Sequence, residues 1–235
     1  MQQDAAIARV KETFEDWSLY DAVIQHDYMC HRELASALKI VAAEVGGGLR
    51  IVDLGCGDAW LASHAFQDVP IEQYLGVDLS EGAVERARSN VAIWESRATV
   101  MCGNIAEFIT TLADGTASLI LASNSLHHFG SDRKTEIVRH CFRVLAPKGV
   151  LCWIDPVRNE DESRDDYLRR LTNVMQHDWI GLSEDQRRRA IQHVWESDYP
   201  ETASGMRQCA DQAGFRFGGR FLEGELFGAW RFVRP

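Results

Sequence analysis

Hydrophobic positions change their period twice along the chain. From residue 4 to 45 they recur at helical spacing, first Ile7, Val10, Phe14 and Trp17, then Val23, Ile24, Leu34, Leu38 and Val41, which predicts helix with a break near residues 18–21. Gly46-Gly47-Gly48 ends that segment. From Arg50 onward, short apolar runs at 50–54, 74–78, 98–102, 117–122 and 150–155 alternate with helical stretches near 58–66, 81–95 and 132–145. Such alternation predicts right-handed crossovers on a parallel sheet. After Asp155-Pro156 it stops, and two helical stretches follow at 161–181 and 183–199, the second opened by the capping-box pattern Ser183-Glu184-Asp185-Gln186. Their apolar sides, among them Tyr167, Leu171, Met175, Trp179 and Val194, need a surface to cover, so they are expected to fold back as a cap over the strand ends. The chain ends with a helix near 202–213, a stop at Gly214, and strands at 215–222 and 227–233. The short link Glu223-Gly224-Glu225 forces those two strands to be antiparallel.

The expected architecture is an α/β, doubly wound, three-layer sandwich. Its sheet is mixed and seven-stranded with the last strand antiparallel, and it carries a helical N-terminal extension and a helical cap insertion. We read residues 1–235 as one domain: 1–48 the N-terminal helical cap, 49–155 the cofactor-binding core, 156–200 the cap insertion, 201–235 the C-terminal helix and β-hairpin. The composition agrees, since 235 residues with 46% hydrophobic residues can bury one large core with a small cap.

Charge narrows the partners. A net charge of -10 disfavours nucleic acid, which needs a basic surface to neutralise phosphates, and favours a small-molecule substrate. No apolar run has the ~18 residues that a membrane span needs, and Met1-Gln2-Gln3-Asp4 has no signal-peptide character, so no membrane partner and a cytoplasmic location are expected. Six scattered cysteines show no metal-ligand spacing and read as reduced thiols.

The chemistry is concentrated between residues 50 and 80. R-I-V-D-L-G-C-G-D-A-W (50–60) reads as a buried strand turning tightly into a helix, where Gly55 and Gly57 can take positive φ and let a ligand lie on the backbone. G-V-D-L-S (76–80) ends a second strand on Asp78, an acid suited to the two hydroxyls of a ribose. Dinucleotides and S-adenosylmethionine both use such a crevice. Trp60 stands where a dinucleotide fingerprint needs its third glycine, and Asp53 would repel a pyrophosphate but suits a sulfonium amino acid with a free ammonium.

D-L-G-C-G-D followed by V-D-L-S, with L-A-P-K-G-V-L further on, resembles the class I S-adenosylmethionine-dependent methyltransferases of small-molecule type. The resemblance covers about residues 49–151. It implies S-adenosyl-L-methionine as cofactor and S-adenosyl-L-homocysteine as product. It also implies cofactor contacts at Asp53, Gly55, Cys56, Gly57, Asp78, Leu79, Asn104, Ile105 and Asn124, with Tyr20 in a lid. Asn104 departs from the aspartate that the family commonly places against adenine. S-N-S-L-H-H-F (123–129) follows the fourth strand and makes His127 and His128 the candidates for acid–base work. Tyr28, His31, His128, Arg158 and Trp179 are candidate substrate contacts. Asp155, Tyr167, His177, His193 and Asp198 form a second tier. No metal is expected, because adjacent histidines rarely point at one ion and no third ligand is evident in the sequence. The expected activity is metal-independent, in-line methyl transfer to an O, N, S or C nucleophile of a small molecule. Alternatives are an NAD-dependent oxidoreductase and a non-catalytic S-adenosylmethionine-binding module.

Overall fold

The structure is a computed structural model that describes residues 17–235, so the helix expected around Ile7, Val10 and Phe14 lies outside the described residues. Among the described residues two helices come first, α1 (Ser18–Gln25) and α2 (His31–Val45). The core then alternates β1 (Leu49–Leu54), α3 (Trp60–Phe66), β2 (Ile71–Asp78), α4 (Glu81–Asn90), β3 (Ala98–Cys102), α5 (Ile105–Thr111), β4 (Ala117–Ser123), α6 (Ser131–Val144) and β5 (Leu145–Arg158). The insertion is α7 (Arg164–His177) and α8 (Glu184–Ser197). It is followed by the two-residue strand β6 (Glu201–Thr202), α9 (Ala203–Ala213), β7 (Arg216–Glu223) and β8 (Phe227–Val233).

The strand order is β3-β2-β1-β4-β5-β8-β7, with β6 added beside β5. All pairings from β3 to β5 are parallel, while β8 runs antiparallel to both β5 and β7. The order reverses between β1 and β4, and it is outside the carboxyl ends of these strands that a doubly wound sheet binds its ligand. The mixed sheet expected from the sequence is therefore present, and a dinucleotide domain of all-parallel strands is not.

β1 and β4 are apolar almost throughout because helices cover both sheet faces. One buried cluster joins Leu34, Leu38, Phe66, Tyr74 and Trp94 on the α2 side. Another joins Ile109, Val138, Trp153 and Phe232 on the α6 side. A third lies in the cap, where Tyr167, Leu171, Met175, Trp179 and Val194 close over Leu19 and Val23 of α1 and over Phe227. The apolar sides of the insertion thus cover the N-terminal helix and the end of the sheet together.

β5 is longer than the sequence suggests. Pro147 and Gly149 were expected to delay it, but the register against β4 shifts between Ala117 and Leu119 and absorbs the irregularity, with Lys148 at φ +66°. At its other end β5 runs past β4 and pairs Val157 with Glu201. The capping box of α8 is formed: Ser183 Oγ accepts from Gln186 N–H, and Gln186 Oε1 accepts from Ser183 N–H. Ser183→Ala is expected to cost about 1 kcal/mol in chemical denaturation by freeing an N-terminal donor. A value near zero would mean that α8 is held by its packing alone.

Candidate functional site

The site begins at the turn after β1. The N–H groups of Gly55 and Cys56 both donate to Val77 O, at 2.9 and 3.0 Å, and this fastens the turn across the end of β2. Glycine is required twice. Gly55 has φ +77° and a Cβ there would meet Ser125 Cβ at 2.5 Å, while Gly57 has φ +54° with the Trp17 ring at 3.2 Å from a Cβ position. Asp78 then accepts from Gly57 N–H and Ser80 N–H, each at 2.9 Å. Burial pushes its carboxyl above the usual range, and these two donors only partly offset that. The resulting chamber, about 820 Å³, is lined by Trp17, Tyr20, Asp78, Leu79, Asn104, Ile105, Asn124, His128 and Phe129, with the glycine turn as its floor. Asn104 caps α5 by accepting from Ala106 N–H at 2.9 Å, so one lone pair of its oxygen is committed and a lone pair and the amide N–H groups remain.

A smaller polar recess of about 350 Å³ opens off the same turn, lined by Tyr20, His31, Asp53, Cys56, Asp58 and Trp60. Asp53 accepts from Tyr74 O–H at 2.7 Å and is 3% exposed. Burial is the main reason that its carboxyl is raised to about 7. Burial likewise raises Asp58 and lowers the His31 ring to about 4, so the imidazole facing Tyr20 O–H at 3.2 Å is neutral. Among the described residues neither lysine nor arginine lines the recess or the chamber. Three carboxyls held in that state are matched by a ligand that brings its own positive charge.

The third part is a histidine cluster. Leu126–His128 form a single 3₁₀ turn after β4, which tilts the adjacent rings of His127 and His128 at 53° with centroids 4.0 Å apart. His127 Nδ1 lies 2.7 Å from Asp155 Oδ1, and the other oxygen of Asp155 accepts from Trp153 Nε1–H at 2.6 Å. Asp198 faces the cluster from the end of α8, and His193 lies edge-on to His128 with centroids 5.2 Å apart. Burial opposes charge on His127, but the carboxylates of Asp198 and Asp155 outweigh it and raise its pKa. The same histidines hold Asp198 below the carboxylate range against its own burial. Beside the cluster is a second chamber, about 730 Å³, lined by Leu19, Val23, Met29, Leu171, Met175, Trp179 and Phe227, with His127, His128, His193 and Asp198 at one end. Tyr20, Asn124 and His128 line both large chambers and are the partition between them.

The residues named from the sequence divide accordingly. Asp53, Gly55, Cys56, Gly57, Asp78, Leu79, Asn104, Ile105, Asn124 and Tyr20 all line the cofactor-side spaces, and His127, His128 and Trp179 line the second chamber. His31 belongs to the polar recess and not to the second chamber. Tyr28 stacks on Trp179 at 4.9 Å and accepts from Gly181 N–H at 2.7 Å, so it clasps the insertion from outside. Arg158 is a strap: its guanidinium donates to Pro200 O and Glu162 O, and it lines neither chamber. Of the second tier, Asp155, His193 and Asp198 join the cluster. Tyr167 donates to Leu226 O in the cap core, and His177 bonds within its own helix. The premise that no third metal-ligating group stands near His127 and His128 is corrected, because Asp198 does. Ser125 and Phe129 belong to the 123–129 loop expected at the crevice, whereas Trp17, Met29 and Phe227 were not anticipated as lining residues; of these only Trp17, an aromatic at a helix start, carried a readable signal.

Fold, turn and crevice define the class: they are those of the class I S-adenosylmethionine-dependent methyltransferases, and S-adenosylmethionine is the cofactor that they suit. Residues 51–149 match the family model described as a methyltransferase domain. The chain is 27% identical over 214 residues to a carboxy-S-adenosyl-L-methionine synthase of Aeromonas salmonicida, covering 88% of this chain and 86% of that one. It is 24% identical to the enzyme of the same name from Pasteurella multocida, over 80% and 77% of the two chains. Among solved structures, magnesium protoporphyrin IX methyltransferase of Synechocystis with bound S-adenosylhomocysteine superposes with a TM-score of 0.68 at 16% identity, covering 98% of this chain and 100% of that one. Among the described residues no helix is long and apolar enough to cross a membrane.

Proposed function

We propose that the chain transfers the methyl group of S-adenosylmethionine to a small acceptor with an apolar body and one ionisable O–H, N–H or S–H group. The observation that carries this reading is the second chamber. It is walled mainly by aliphatic and aromatic side chains, gathers His127, His128, His193 and Asp198 at one end, and meets the cofactor chamber at Tyr20, Asn124 and His128. On this reading Asp78 takes the ribose hydroxyls, the Gly55–Gly57 turn carries the methionine portion, and Asp53 pairs with its ammonium. The transfer is an in-line displacement at carbon. The acceptor heteroatom forms its bond to the methyl carbon while the carbon–sulfur pair returns to sulfur, and the acceptor's proton leaves to the cluster or to water. Holding both partners in adjoining chambers supplies several kcal/mol through proximity.

The relatives' name supports a second reading, in which the donor itself becomes carboxylated. A carboxylate product would call for a strong cation near the sulfonium, and among the described residues no lysine or arginine lines either large chamber. The two are separated by incubating the protein with methyl-labelled S-adenosylmethionine and a panel of apolar phenols, thiols and amines beside small carboxylic acids. Labelled apolar product is expected. A donor that gains a carboxyl group establishes the second reading instead, and tight binding with no product at all leaves a non-catalytic module.

A further inference from the structure

The histidine cluster has a geometry that proton exchange alone does not explain. His128 Nδ1 lies 3.4 Å, His127 Nε2 3.6 Å and His193 Nε2 3.8 Å from the same atom, Asp198 Oδ1. These separations exceed the ~2.7–3.2 Å of ordinary N–H···O bonds. They are close to the ~3.4 Å edge of a tetrahedron whose metal–ligand bonds are ~2.1 Å long. Candidate ligand atoms of His127, His128 and Asp198 all lie within 4.8 Å of one another. Asp198 is 3% exposed, its Oδ1 is the atom that all three rings face, and His128 Nδ1 also lies 3.3 Å from Ser197 O, a contact that a bound ion would displace.

A second observation is independent of those distances. The far nitrogen of His127 is held at 2.7 Å by Asp155, which is itself fixed by Trp153. Such a carboxylate behind an imidazole is what orients a metal-ligating histidine and fixes its tautomer. Adjacent histidines on a strand or a regular helix point apart, but the short 3₁₀ turn brings both of these rings to one side.

We propose that His127, His128 and Asp198 form a binding site for one divalent transition-metal ion of the zinc type. The fourth position opens to the apolar chamber beside His193. Two imidazoles and one carboxylate suit borderline ions such as Zn²⁺ or Co²⁺; Mg²⁺ and Ca²⁺ favour all-oxygen sets, and no thiolate is present to select a softer ion. Three protein ligands with one open position is the arrangement of sites that act on a bound molecule rather than sites that only brace a fold. The metal site itself does not rest on the methyl-transfer reading. Where that reading holds, an acceptor hydroxyl or thiol entering the open position would become more acidic and give up its proton to water.

The test uses the whole chain, stripped with a chelator and checked for a native unfolding transition, then dialysed against Zn²⁺ with metal analysis, and titrated with Co²⁺ for the visible absorption of a tetrahedral ion. About one ion per chain is expected, with affinity falling ~100-fold or more in Asp198→Ala and in His128→Ala, and about 10- to 100-fold in Asp155→Asn, which leaves all three ligands in place. Uptake below about a tenth of an ion per folded wild-type chain overturns the proposal. So does uptake that is unchanged in both ligand variants, since the ion would then sit elsewhere. The wild-type measurement stands whether or not a variant folds. A failed methyl-transfer assay leaves the metal result untouched.

Discussion

Asp78→Ala is expected to weaken S-adenosylhomocysteine binding by about 100- to 1,000-fold, or ~3–4 kcal/mol, because it removes the carboxylate that would take two ribose hydroxyls in charge-assisted bonds. The loss has a second source within the protein. Asp78 holds the N–H groups of Gly57 and Ser80 at 2.9 Å, so without it the glycine turn loses its tie to β2 at the place proposed for the methionine portion of the cofactor. Asp78→Asn separates the two sources: an amide oxygen can retain one of these donors, while the charge and one acceptor are gone. Calorimetric titration with S-adenosylhomocysteine gives the answer, and an unaltered dissociation constant for Asp78→Ala would remove the assignment of this carboxylate to the ribose.

Asp53→Asn has the other large effect, and it depends on pH. In the free protein burial raises the Asp53 carboxyl to about 7, so it is half protonated near neutrality and must ionise to pair with the ammonium of the ligand. Wild-type affinity is therefore expected to tighten about tenfold between pH 6 and pH 8, and the asparagine variant to bind about 10- to 100-fold more weakly at pH 8 with that pH dependence gone. Stability moves the opposite way. A carboxyl whose folded pKa of about 7 lies above its ordinary 3.8 binds more protons folded than unfolded between those values, so its contribution to the stability of the free protein falls as pH rises through that window. Asp53→Asn is thus expected to stabilise the empty protein above pH 7 while it cripples the filled one. Equal pH slopes for wild type and variant would place the ammonium elsewhere.

Both predictions concern residues legible from the sequence, and the reason is local. A strand ending in Asp53-Leu54-Gly55-Cys56-Gly57 and another ending in Val77-Asp78 encode their own backbone geometry within a few residues, through apolar runs, glycines at positive φ and an acid at a strand end. Parallel pairing of neighbouring strands then brings the two ends together with little further information. Strand alternation likewise fixed the layered architecture, and the Glu223–Glu225 link fixed the reversed strand.

The histidine cluster is of the other kind. His127 stands after β4 and Asp155 in β5, and the pairing of those strands brings the two together, but His193 and Asp198 stand at the far end of an inserted helix and join them only because α7 and α8 pack back onto α1 and Phe227. That is why Asp198 was invisible as a third metal-ligating group, and why Arg158 and Tyr28, chemically suited to a site, serve instead as a strap and a clasp. The sequence by itself determined the sheet, the glycine turn and the two acids of the cofactor crevice, because backbone conformation and apolar period are set by neighbours in the chain. Tertiary structure alone decided the second chamber and the company of its histidines, because a side chain's partners across an insertion depend on which apolar faces bury one another.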